Sequence, residues 1–128
     1  MGARLRLDHM SILVRDLSRS AAFYRDVLML PEIACKVGKA HIRWFGIGER
    51  QSIHLIEGDF GNTAVKFSTH FCISTDRFDD LKAHFTSLGL EFCNVARQKN
   101  QVNLRPDGVR QIYIQDPDDY WIEINDEA

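Results

Sequence analysis

The strongest constraint on how this chain folds is that its two halves carry the same pattern. Setting His9 on His70 pairs Ile12 with Ile73, Leu17 with Phe78, Ala22 with Ala83, Tyr24 with Phe85 and Val27 with Leu88. In each half a β-rich run, 5–14 or 70–75, precedes a segment whose apolar residues recur at the 3–4 spacing of a helix with one buried stripe. At the far end of each half Ile53-His54-Leu55 aligns with Ile122-Glu123-Ile124, in a register displaced by eight residues. The longer segment 97–108 absorbs that displacement. The chain therefore reads as one α+β domain, 1–128, built from two β-α-β-β-β modules over about 4–60 and 67–126.

Local signals fill in each module. Asp16 or Ser18 is placed to cap the first helix, since either side chain accepts bonds from the free N–H groups of a first turn. That helix is expected to reach Met29, with Leu17, Ala21, Tyr24 and Leu28 as its stripe and Pro31 as its stop. Strands are expected over 32–37, 40–47 and 51–57. In the second module Asp76 or Asp79 opens a helix carrying Phe78, Leu81, Phe85 and Leu88, and Gly89 stands where a left-handed cap is expected. Strands follow over 91–96, 109–115 and 120–125. The polar segment 97–108 is expected to form a long loop beside a site, with a turn at 105–108.

Side chains alternate faces along a strand, so the neighbours of each chemically interesting residue can be read off. His9 shares its face with Ser11, His70 with Cys72 and Ser74, His54 with Ser52 and Ile56, and Glu123 with Trp121 and Asn125. The opposite face of each strand is mostly β-branched or aromatic, suited to packing under a helix. A single histidine of this kind is more often a satisfied core or surface residue than a ligand. Three histidines and a carboxylate at equivalent places of a repeat are harder to attribute to chance. Neutral imidazole and carboxylate are good ligands for a divalent ion, so His9, His54, His70 and Glu123 are the candidate metal ligands. Gln111, Tyr113 and Gln115 alternate toward the same face and are candidates for substrate contact. Arg105 and Arg110 could recognise an anion, although a solvated role is the commoner one for arginine. His84 reads as a surface residue and His41 as structural or close to a substrate. Glu57 has the opposite parity to His54 and is expected to point away.

Composition excludes several classes. With 128 residues, a net charge of −2 and interspersed charges, the chain lacks the basic footprint of a nucleic-acid binder. No run approaches the roughly 18 apolar residues that a membrane span needs. The three cysteines, Cys35, Cys72 and Cys93, lack CxxC spacing. They point to a reducing, cytoplasmic setting rather than a disulfide framework.

The segments LDHMSILVRDLSRSAAFYRDVLML, IHLIEG, THFCIS and RQIYIQDPDDYWIEIND together resemble the vicinal oxygen chelate superfamily, which includes glyoxalase I, bleomycin- and fosfomycin-resistance proteins and extradiol dioxygenases. The resemblance spans essentially the whole chain, and Asp-Pro-Asp followed by an aromatic residue and Ile-Glu is its most specific part. It implies the glyoxalase/bleomycin resistance fold, in which paired modules form a curved mixed sheet around a metal site, often completed in a homodimer. His9, His70 and Glu123 fall on the family's metal-ligand positions. His54 stands where glyoxalase I has a glutamate, which leaves Glu123 as the only carboxylate of the four. The implied activity is that of a metal-dependent lyase or isomerase resembling lactoylglutathione lyase. It would act on a small oxygenated substrate such as a glutathione thiohemiacetal, with glutathione as cosubstrate and Glu123 as the base. The implied metal is Zn, Ni, Fe, Mn or Co. Alternatives within the same resemblance are an extradiol-type Fe(II) dioxygenase, a thiol transferase that inactivates an antibiotic, and a non-enzymatic drug-binding protein.

Overall fold

The repeat folds as two sheets of one topology. The computed structural model describes residues 2–128. Its elements are β1 (His9–Val14), α1 (Leu17–Ala22) continued by a π-helical turn (Phe23–Val27), β2 (Glu32–Ile33), β3 (Ile42–Ile47), β4 (Gln51–Glu57), β5 (His70–Ser74), α2 (Phe78–Ser87), β6 (Asn103–Leu104), β7 (Arg110–Gln115) and β8 (Trp121–Asn125). The chain divides into two compact units, Met1–Thr63 and Ala64–Ala128. Each unit holds a four-stranded mixed sheet, ordered β1-β4-β3-β2 in the first and β5-β8-β7-β6 in the second. In both, the last strand lies between the first, to which it is parallel, and its predecessor, to which it is antiparallel. The register repeats as well: His9 stands opposite Ser52 and Ser11 opposite His54, while His70 stands opposite Trp121 and Cys72 opposite Glu123.

In the first module Asp16 caps α1, accepting from the backbone N–H of Arg19 at 3.1 Å. The expected stripe of Leu17, Ala21, Tyr24 and Leu28 is buried throughout. Glu57 does point away from the His54 face, and it has a task there. Its Oε2 accepts from the N–H of Leu17 at 2.8 Å, which places an anion at the positive end of the helix. Gly48 takes a positive φ of 62° in the β3–β4 hairpin, a conformation that glycine adopts without steric cost. Of the expected strands, 51–57 forms as expected, 40–47 begins at Ile42, and 32–37 shrinks to the two residues of β2.

In the second module α2 begins without a side-chain cap from Asp76 or Asp79; Thr75 Oγ1 accepts from the N–H of Arg77 instead. Phe78 and Phe85 are buried, but Leu88 is 51% exposed because it sits at the helix end. Gly89 does form the left-handed cap, at φ 72°. Its N–H donates to Thr86 and that of Leu90 to Phe85, closing a Schellman motif. The strand expected at 91–96 does not form. Cys93 alone bridges to Tyr113, and a turn at Asn94–Arg97, where the Arg97 N–H bonds the Asn94 carbonyl, takes the chain out of the sheet. Part of the expected loop 97–108 is instead β6, which pairs with β7.

Candidate functional site

The two modules hold two separate pairs of the candidate residues. In the second, the cross-strand register of β5 and β8 brings His70 and Glu123 together, with Nε2 3.1 Å from Oε1. The ring of His70 is fixed from behind, since Nδ1 lies 2.8 Å from the Phe67 carbonyl, which can only accept. That bond selects the tautomer that leaves Nε2 as the free nitrogen. A neutral imidazole in this state turns a lone pair toward a carboxylate oxygen, an arrangement that becomes attractive only with a proton or a cation between the two.

Glu123 is itself held by a network within one sheet face. Gln111 Nε2 donates to Oε2 at 2.9 Å, Asn125 Nδ2 at 3.3 Å and the Cys72 thiol at 3.4 Å. Asn103 in turn donates to Gln111 Oε1 at 2.9 Å. Burial pushes the Glu123 carboxyl up, but the hydrogen bonds from Gln111, Cys72, Asn125 and Tyr113 outweigh it, and its pKa lies below the ordinary value. The carboxylate is therefore ionised at neutral pH, with Gln111, Asn125 and Cys72 on Oε2 and with Oε1 facing His70. The same site pushes its neighbours the other way. Burial and the Glu123 charge raise the Cys72 thiol to about 12 and the Tyr113 phenol to about 12, so both stay protonated. Phe67 packs against His70, Tyr113 and Trp121, and the Arg97 guanidinium lies 4.5 Å above its ring.

In the first module His9 and His54 also meet, but as a stack. Their ring centroids are 4.1 Å apart with planes 12° from parallel, and Trp44 covers the other face of His54 at 3.9 Å and 1°. His54 is buried in the middle, its Nε2 2.9 Å from Ser52 Oγ, and burial, then the neighbouring His9, lower its pKa. His9 Nδ1 lies 2.8 Å from Asp8 Oδ2, an arrangement that leaves Nε2 free. These rings line a cavity of about 610 Å³ together with Arg6, Lys36 and Arg50.

Arg105 and Arg110, expected as anion-recognising candidates, are engaged elsewhere. Arg105 pairs with Asp107 at 2.6 Å and Glu127 at 3.4 Å. Arg110 pairs with Asp126 and Asp79, each at 2.9 Å, and lies over the Phe78 ring. These pairs tie the two arginines to carboxylates of the second module. Gln111 and Tyr113 do lie at the site, as partners of Glu123. Gln115 bonds the Asp119 carbonyl at 3.1 Å. Trp44 and Phe67 were not singled out by the sequence. The signal for Trp44 was the short 48–50 turn, which sets it opposite His54. No sequence pattern marks Phe67, whose role depends on its carbonyl.

The profile of the Glyoxalase/Bleomycin resistance protein/Dioxygenase superfamily matches residues 6–124. The chain belongs to that superfamily. Among curated relatives it is similar to the uncharacterized protein YwbC of Bacillus subtilis (strain 168), 30% identical over 123 residues, covering 92% of this chain and 94% of that protein. Its fold is shared with Oxidase ChaP-H2 at a TM-score of 0.80 and 22% identity, over 98% of this chain and 96% of the other. It is also shared with lactoylglutathione lyase from Agrobacterium tumefaciens, at a TM-score of 0.75 and 24% identity over 98% and 96%. The fosfomycin resistance protein FosX from Mesorhizobium loti gives 0.71 and 22% over 98% and 95%. At these identities the solved structures speak for the fold alone.

The donor sets can be tested against the metal that this superfamily implies. Two ligand atoms bound to one ion at about 2.0–2.1 Å lie about 2.9–3.4 Å apart at octahedral to tetrahedral angles. The 3.1 Å between His70 Nε2 and Glu123 Oε1 falls in that range, so this superfamily member has a fitting pair in its second module. The first-module pair fits less well. An imidazole binds an ion in its own plane, and near-parallel stacked rings share no such point. His54 could join His9 on one ion only by leaving Trp44 and Ser52. Among the described residues, neither module by itself groups three His, Cys, Asp or Glu side chains to hold an ion.

Proposed function

We propose that this superfamily member is a divalent-metal-dependent lyase or isomerase of the glyoxalase type, acting on a small oxygenated substrate. The observation that supports it best is the His70–Glu123 pair: an imidazole nitrogen and a carboxylate oxygen facing each other at 3.1 Å, a separation suited to a shared ion. His70 and Glu123 would hold the metal, His9 is the further ligand that the sequence repeat and the family resemblance offer, and His54 stays in its stack. When bound, the ion would act as a Lewis acid on a substrate oxygen.

The chain's own residues account for the remainder. Phe67 fixes the His70 tautomer through its carbonyl. Gln111, Asn125 and Cys72 hold Glu123 ionised through Oε2, so that Oε1, facing His70, is the oxygen that would meet a metal or a substrate proton. Tyr113, kept protonated, presents a donor beside it.

The test is metal binding followed by turnover. Protein loaded in turn with Zn, Ni, Fe(II), Mn and Co is assayed with methylglyoxal and glutathione, with solvent deuterium incorporation as the sign of proton transfer. Glu123→Gln and His70→Ala should each weaken metal binding at least tenfold. Unchanged metal affinity in both variants overturns the proposal. A second reading, an Fe(II) oxygenase, is favoured by the burial of His54 in its stack, which leaves three donors and more open positions. Oxygen uptake without deuterium incorporation would select it.

A further inference from the structure

The first-module cavity carries a recognition chemistry that the metal reading does not use. Its floor is the three-ring stack, and His9 is the end ring, with no other ring on its outer face among the described residues. A planar ring laid there would extend the stack in the parallel arrangement that aromatic surfaces favour. Ile33 and Val37, 42% and 54% exposed, supply an apolar wall in the same cavity.

The charges are unbalanced in one direction. Asp8 is engaged by His9 at 2.8 Å and by Arg6 at 3.4 Å. Lys36 and Arg50 line the cavity with no ion-pair partner among the described residues, and Glu49 is the only other carboxylate in its lining besides the engaged Asp8. A volume of about 610 Å³ falls within the range of small-molecule sites and exceeds what a single ring needs.

We propose that the first-module cavity binds a planar aromatic anion, its ring on the open face of His9 and its acid group met by Lys36 and Arg50. To name this ligand the substrate rests on the reading of His9 as part of the working site; the binding itself does not, and it is tested without metal. Calorimetric titration of chelator-treated protein with 2-naphthoate is compared with neutral 2-naphthalenemethanol and saturated decahydro-2-naphthoate. Naphthoate should bind at least tenfold more tightly than either, and Lys36→Ala/Arg50→Ala should remove most of that advantage while leaving the melting temperature unchanged. Both are surface positions, so loss of fold does not cloud the result.

Absence of naphthoate binding, equal binding of the neutral compound, equal binding of the saturated acid, or an unaffected double variant would each overturn the proposal. Metal-dependent turnover without naphthoate binding leaves the lyase standing and removes this inference. Naphthoate binding in a protein that binds no metal does the reverse.

Discussion

Gln111→Leu isolates the network around Glu123. Leucine keeps the volume of a side chain that is 8% exposed but removes two hydrogen bonds, the 2.9 Å bond to Glu123 Oε2 and the 2.9 Å bond from Asn103. Asn103 is half-buried and can turn to water, so most of the cost falls on Glu123. A hydrogen bond to a buried charge contributes about 1.5–3 kcal/mol, and the loss should lower the melting temperature by roughly 5–12 °C for a chain of this size. The sign of its pH dependence follows from the depressed pKa. Glu123 in the folded state lies below its ordinary value of 4.5, so its ionised form stabilises the fold above that pH and the contribution is lost as pH falls through the folded value. Removing a donor raises the folded pKa. The penalty of the substitution should then be full at about pH 7 and shrink as the pH falls below the ordinary carboxylate value. Urea unfolding of both proteins in the presence of chelator measures it without any metal contribution. A penalty below about 0.5 kcal/mol at neutral pH, or one of constant size across the range, would refute this account of how Glu123 is held.

Three further outcomes are expected. Asp116 Oδ1 accepts from the N–H groups of Asp118 and Tyr120, both at 2.9 Å, so Asp116→Ala should cost roughly 2–3 kcal/mol in urea unfolding while Asp116→Asn keeps most of the stability. Equal losses would show that the turn does not depend on this acceptor. Cys72, with its thiol raised to about 12, should react slowly with iodoacetamide at pH 8 despite its exposure, and Glu123→Gln should speed it at least threefold; a fast wild-type reaction refutes the assignment. In a Trp121→Phe background, Trp44 emission should fall as His54 becomes protonated, with a midpoint below the ordinary 6.5. His54→Leu should abolish the transition, and a midpoint at or above 6.5 would contradict the burial argument.

Periodicity made the helical stripes and the repeat legible, because Tyr24, Phe85 and their neighbours must face a core whatever else happens. It also placed His9, His70, His54 and Glu123 at matching strand positions, since register alone decides which side chains share a face. It could not show the state of each ring. His54 lies between Trp44 and His9 instead of pointing a nitrogen into open space, and that depends on rotamers. Nor could propensity show that residues 91–96 lack a partner strand beyond Cys93, or that Leu88 would fall at the end of its helix. The ion pairs of the arginines were hidden for a similar reason. Arg105 and Arg110 find carboxylates brought near by the fold, and two of these, Asp126 and Glu127, lie beyond the last strand.

The position of β4 and β8 has a consequence for how the protein is made. Each is the last strand of its unit to leave the ribosome, yet each lies inside its sheet, next to the first strand. Until it arrives, β1 or β5 has no backbone partner in its sheet, and the nascent module waits with an open seam. The strand that closes the seam also carries His54 or Glu123. A chain cut short before β8 would therefore lose the middle of a sheet and the carboxylate together, and quality control would meet an unfolded module rather than a folded, inactive one.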